Sequence, residues 1–218
     1  MPVDKKTYEE LNEELRLSKI TLVAVSKTKA VEDILELYDL GHRDFGENYV
    51  QELVDKAEQL PRNIRWHFIG HLQTNKVKLI VPFVYLIHGV DSVKLLKEIN
   101  KQAEKHSRVV HCLLQVHIAQ EETKFGFDEI ELFSLALSQF ANVKINGLMG
   151  MATLTDDMNK VRAEFTHLKN LFKKLQASNP QLQILSTGMS SDFKIAIEEG
   201  SNMVRIGSLL FGERNYQK

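Results

Sequence analysis

Cysteine is almost absent: Cys112 stands alone in 218 residues, so neither an internal disulfide nor a cysteine zinc site can form. It lies in an apolar run, the usual setting of a buried, unreactive thiol. Net charge is lacking as well. With 28 Lys+Arg against 29 Asp+Glu and a formal net charge of -1, no overall field exists to hold nucleic acid or an anionic membrane. No stretch reaches the roughly 18 consecutive apolar residues of a membrane span. The opening Met1-Pro2-Val3-Asp4-Lys5-Lys6 leads into Tyr8-Glu9-Glu10 and not into an apolar signal core. A soluble, cytoplasmic protein is expected. No Ser/Gly-rich linker, low-complexity tract or shift of composition divides the chain.

What is present is alternation. β-branched and apolar runs bounded by Gly, Asn, Asp and Ser predict strands at 21–26, 43–47, 65–69, 85–89, 110–118, 144–149, 183–187 and 203–206. Between them the period changes to that of a helix. Val161, Phe165, Leu168, Phe172 and Leu175 share one face, with Glu164 elsewhere; Val93, Leu96, Ile99 and Ala103 form a second set and Ile130, Phe133, Leu137 and Phe140 a third. Asp91-Ser92 supplies a helix start, and Asn179-Pro180 a stop. Eight β-α alternations without a break predict an α/β fold, a single (β/α)8 TIM barrel over residues 21–218, smaller than the typical ~250 residues. Residues 1–20 are a leading segment whose short polar helix, residues 4 to 16, covers the barrel. A doubly wound open sheet is the alternative.

In a barrel the reactive groups gather at the carboxyl ends of the strands. Val23, Val25 and Lys27 share a face of the first strand, which would carry the Lys27 amine into the barrel mouth. Partial desolvation there disfavours the charged form and yields a Schiff-base nucleophile, unless the side chain simply runs out to solvent. On the last strand Arg205 falls with Met203 and Gly207, opposite the apolar pair Val204 and Ile206, and so points inward. A buried guanidinium needs an anionic partner or a ligand acceptor; the plain alternative is an ion pair with Glu47. Gly207-Ser208 and Ser186-Thr187-Gly188-Met189-Ser190-Ser191-Asp192 follow strands eight and seven, where barrels often bind phosphate, although such loops also occur as mere turns and caps. Amine, guanidinium and anion cradle together describe a site for an aldehyde bearing a phosphate and an acceptor nitrogen, that is, pyridoxal phosphate.

At these residues the sequence resembles the pyridoxal phosphate homeostasis protein family. The motifs are AVSKTK at 24–29, FGENYVQE at 45–52, WHFIGHLQTNK at 66–76, GLMGMA at 147–152, TGMSSDF at 187–193 and MVRIGSLLFG at 203–212. Ala30, Ser208 and a short leading helix depart from the family pattern without removing a cofactor group. The resemblance implies a barrel similar to the N-terminal domain of alanine racemase, with pyridoxal phosphate held as an aldimine on Lys27. It further implies phosphate contacts from Ser190, Gly207 and Ser208, Arg205 facing the pyridine nitrogen, and Asn48 near the cofactor. It implies a monomer that passes the cofactor transiently to apo-enzymes.

An arginine beside the pyridine nitrogen donates to it and leaves it unprotonated, which weakens carbanion stabilisation. The expected role is therefore a carrier without robust catalysis. The alternatives are an amino-acid racemase, which would also need an acid/base group on the opposite face of the substrate carbon, and a cofactor-free aldolase acting through Lys27. Other signals read plainly. His67 and His71 lack a metal-ligand set, the Lys94, Lys97, Lys101 and Lys105 row is a solvated helix face, and Lys124 is an accessory lysine or a loop charge.

Overall fold

In the computed structural model, which describes residues 3–119 and 125–212, the eight apolar runs form parallel strands, each hydrogen-bonded to the next and the last returning to the first. They are β1 (Thr21–Val25), β2 (Asp44–Glu47), β3 (Arg65–Phe68), β4 (Leu86–Val90), β5 (Val110–Gln115), β6 (Val143–Met149), β7 (Ile184–Ser186) and β8 (Met203–Ile206). Closure sets Val23 opposite Arg205 and Ala24 opposite Ile206. The architecture is a (β/α)8 barrel.

The connecting helices are α2 (Val31–Asp39), α3 (Val50–Gln59), α4 (Val77–Ile80), α5 (Val93–Lys105), α6 (Glu129–Ser134), α7 (Met158–Ser178), α8 (Phe193–Glu198) and α9 (Ser208–Phe211). Ser92 Oγ accepts the Leu95 N–H at the start of α5, and Asp157 caps α7 by accepting from Asn159 and Lys160. α7 stops at Asn179, one residue before Pro180. The leading helix, α1 (Lys5–Leu17), buries Tyr8, Leu11 and Leu15, and the Asp4 N–H donates to the Leu210 carbonyl of α9 at 3.0 Å.

Strand alternation sorts side chains into two cores. Outward-facing Ala24, Phe45, Val204 and Ile206 meet the helices in one large cluster, while Val23, Leu86, Leu113, Met149 and Met203 form a small cluster inside the barrel. Cys112 is fully buried, and burial pushes its thiol up, as an inert residue requires. No helix among the described residues is long and apolar enough to cross a membrane.

Three local expectations are corrected. The fifth strand ends at Gln115 and not at 118, because Val116 turns to bridge Phe127. The set Ile130, Phe133, Leu137 and Phe140 is not one helix face: α6 stops at Ser134, a separate 3-10 turn covers 137–139, and Leu132 is buried while Ile130 is 81% exposed. Glu164 belongs to the buried face of α7, where its carboxylate accepts the Thr153 N–H and hydroxyl, each at 2.7 Å.

Candidate functional site

A cavity of about 330 Å³ opens at the carboxyl ends of the strands. Lys27, Asn48, Ser190, Arg205, Gly207 and Ser208 all line it, with Ile69, Met151 and Met189 as apolar wall. Residues from four strand ends thus meet in one place.

Lys27 follows β1 in a turn gripped from below. The Ser26 hydroxyl donates to Glu47 Oε1 at 2.6 Å, Lys56 Nζ donates to the Ser26 carbonyl and to Glu47 Oε1 at 2.8 Å each, and the Thr28 N–H donates to Glu52 Oε1 at 2.5 Å. Lys56 also donates to Glu52 Oε1 at 2.7 Å, so α3 supplies both ends of the grip. Burial pushes the Glu47 carboxyl up to about 7 against the pull of Lys56 and Ser26. Beyond the turn, Lys29 Nζ donates to the Phe211 carbonyl at the end of α9 at 2.7 Å.

Arg205 is buried inside the barrel, and the ion pair with Glu47 weighed from the sequence does not form. Glu47 lies on the outward face of β2 with Lys56. Arg205 instead donates to the Ser186 carbonyl at 2.9 Å, the Ser186 hydroxyl at 2.7 Å and the Gly150 carbonyl at 3.2 Å. Burial lowers its pKa to about 10, eased by Asp192, which keeps it a cation at neutral pH. A permanent donor therefore lines the cavity without an ion pair among the described residues.

Between these two groups the chain presents hydroxyls and amides. The Gly207 N–H donates to Ser190 Oγ at 3.3 Å, joining the loops after β7 and β8. Gly188 has φ +90°, and a Cβ there would lie 2.6 Å from the Ala196 methyl, so only glycine fits this turn. Asp192 stands at the N-cap of α8 but makes no side-chain cap bond there; its carboxylate accepts the Met189 N–H at 2.6 Å and fixes the loop. Asn48 Oδ1 is a buried acceptor without a hydrogen-bond partner among the described residues. Gly70 lets the next loop pass against it, since a Cβ there would lie 2.2 Å from the Asn48 carbonyl.

The sequence did not single out Ser186 or Gly150 as the groups holding Arg205; the signal was a serine at the last position of a short strand. His67 and His71 diverge. His67 is fully buried inside the barrel, whereas His71 accompanies Asp91 at 2.9 Å and stacks on Phe125 with centroids 4.2 Å apart. Among the described residues no group of three or more His, Cys, Asp or Glu converges on a metal site. Lys124 lies outside the described residues.

The alanine racemase N-terminal domain family matches residues 5–215. A pyridoxal phosphate homeostasis protein of Aquifex aeolicus is 46% identical over 200 residues, covering 89% of this chain and 87% of that protein. The chain belongs to the pyridoxal phosphate homeostasis protein family. One solved structure like it is PipY of Synechococcus elongatus with PLP bound, at TM-score 0.85 and 36% identity, covering 94% of this chain and all of that one (100%). The family's barrel is also that of Clostridium difficile alanine racemase, at TM-score 0.80 and 15% identity, where this chain (100% covered) spans 60% of the racemase. At that identity the likeness is one of fold alone.

Proposed function

We propose that this chain binds pyridoxal 5'-phosphate and acts in intracellular vitamin B6 homeostasis, holding the aldehyde and releasing it to apo-enzymes without robust catalysis. The observation that carries this reading is the meeting of Lys27 and Arg205 in one cavity whose remaining polar wall is Ser190, Gly207 and Ser208. The lone acceptor Asn48 Oδ1 fits a polar ligand that brings a donor. The PLP-bound PipY relative supports the choice of cofactor.

In this reading Lys27 Nζ takes the cofactor aldehyde in an aldimine with loss of water, and the grip of Glu47, Lys56 and Glu52 on the turn aims that amine. The hydroxyls of Ser190 and Ser208 and the Gly207 N–H receive the phosphate, and Asn48 borders the ring. When bound, the cofactor supplies a reactive carbonyl and an electron-accepting ring. Arg205 faces the pyridine nitrogen. As a cation anchored by three oxygens it donates to that nitrogen and provides no proton, which mutes the ring as an electron sink.

The test is the absorbance spectrum of the native chain and Lys27→Ala with added PLP, followed by borohydride reduction and mapping of the labelled residue. The native chain is expected to show the aldimine band and label at Lys27, and Lys27→Ala to lose both. Retention of the band in Lys27→Ala overturns the site. Sustained loss of α-hydrogen from an amino acid would overturn the carrier role in favour of a racemase.

A further inference from the structure

A line of hydrogen bonds runs down the inside of the barrel from Arg205 to Asp44 at the opposite mouth. Arg205 Nη1 donates to Ser186 Oγ at 2.7 Å, and Ser186 Oγ lies 3.3 Å from His88 Nδ1. His88 Nε2 lies 2.9 Å from His67 Nδ1, and His67 Nε2 lies 3.0 Å from Asp44 Oδ1. All five residues are buried, and they come from β8, β7, β4, β3 and β2 in turn.

The two ends fix the direction of the line. A guanidinium has only donors, so Ser186 Oγ accepts from Arg205 and its own proton is free for His88 Nδ1. At the far end burial works to raise the Asp44 carboxyl, but hydrogen bonds from Arg65 and His67 hold it well below the usual carboxylate range. The carboxylate only accepts, so His67 Nε2 carries a hydrogen. Burial, with the Arg205 cation close by, pushes His88 well below the ordinary imidazole value and keeps it neutral. With its Nδ1 accepting from Ser186, His88 carries its one hydrogen on Nε2, and His67 Nδ1 accepts it. Each donor points from Arg205 toward Asp44, and no polar atom in the line is left over.

We infer that Ser186, His88, His67 and Asp44 are positioning residues for the ligand against Arg205: the line turns the Ser186 hydroxyl into an obligate acceptor and so sets the plane of the guanidinium. This inference rests on the pyridoxal phosphate site proposed above and adds to it the residues that orient its ring-facing group. A purely structural role for the line would change stability and leave the bound ligand's spectrum alone.

The experiment has two arms, both on the full chain. In the first, nitrogen-15 histidine spectra of the unliganded protein near neutral pH are expected to show His67 and His88 as neutral rings with hydrogen on Nε2. An imidazolium, or hydrogen on Nδ1 of either ring, overturns the inference. In the second, Ser186→Ala, Ser186→Thr and His88→Phe are titrated with PLP. Ser186→Ala and His88→Phe are expected to weaken binding about tenfold, the loss of one hydrogen bond to a charged group. They are also expected to shift the absorbance band while borohydride still labels Lys27, and Ser186→Thr restores affinity and band. A folded Ser186→Ala protein with native affinity and band overturns the inference, whatever the fate of His88→Phe. The first arm needs no ligand, so its failure is distinct from failure of the Lys27 site, which the Lys27→Ala spectrum reads.

Discussion

Thr28, one residue past Lys27, has φ +64°, a left-handed conformation that costs a β-branched residue about 1–2 kcal/mol. The strain is held by the Glu52 carboxylate on the Thr28 N–H, and it turns the chain sharply just beyond the amine. Protonation at single buried residues sets the acid response of the whole molecule. Burial pushes His42 down to about 4 from its ordinary 6.5, and His88 lower than its ordinary value as well. On unfolding below pH 6.5 each takes up a proton that the native state refuses, so its contribution to stability is lost as the pH falls. Glu47, pushed up to about 7 from 4.5, acts in reverse: its contribution is complete below pH 4.5 and lost as the pH rises through 7. His42 and Glu47 offset each other, and His88 tips the balance. The expected outcome is a Tm that falls between about pH 7 and about pH 5, with a flatter slope in His88→Phe. Thermal melts across that range check it, and a Tm that rises on acidification contradicts it.

At the scale of the element, α3 does more than cover β2. Glu52 and Lys56, one turn apart, reach under the strand end and clamp the turn that carries Lys27. Removing the cation leaves Glu47 buried with no partner for its charge. Lys56→Met is expected to cost about 3 kcal/mol, read as a lower urea midpoint, and to slow borohydride labelling of Lys27. The strands were legible in the sequence because period-two apolar runs mark a barrel strand, and Lys27 and Arg205 because they put charge on its inner face. Ser190, Gly207 and Ser208 are read from the Gly/Ser loops after strands seven and eight, and Asn48 only through the family resemblance. The segment from 130 to 140 was not legible. Spacings of three and four fit a helix wherever it ends, and here the Asp128–Glu131 capping box starts a helix that stops after Ser134. Nor was the line from Asp44 to Ser186. Each of β2, β3, β4 and β7 shows a polar inward side chain, and only closure of the barrel brings them within reach of one another.

For the molecule as a whole, the barrel interior is layered. Five apolar side chains, Val23, Leu86, Leu113, Met149 and Met203, form the inner cluster, with a cavity of about 330 Å³ at one mouth and about 390 Å³ at the other. The second cavity is lined by residues at the strand starts, among them Thr21, Asp44, Arg65, His67 and Met203. Leu113, fully buried in that inner layer, has little room to be replaced by collapse. Leu113→Ala is expected to cost about 3 kcal/mol, measured by denaturant titration, with the PLP spectrum retained because the substitution removes no group that lines the upper cavity.

The polar column through this interior also constrains how the sequence can drift. Ser186, His88 and His67 each give a hydrogen to the next member and Asp44 accepts the last, so exchanging one for a hydrocarbon strands its neighbours, while exchanging adjacent members together relieves much of that penalty. Asp44, His67, His88 and Ser186 therefore behave as one inherited character spread over four strands, and an engineer wishing to rebuild the barrel's centre must swap the set in a single move.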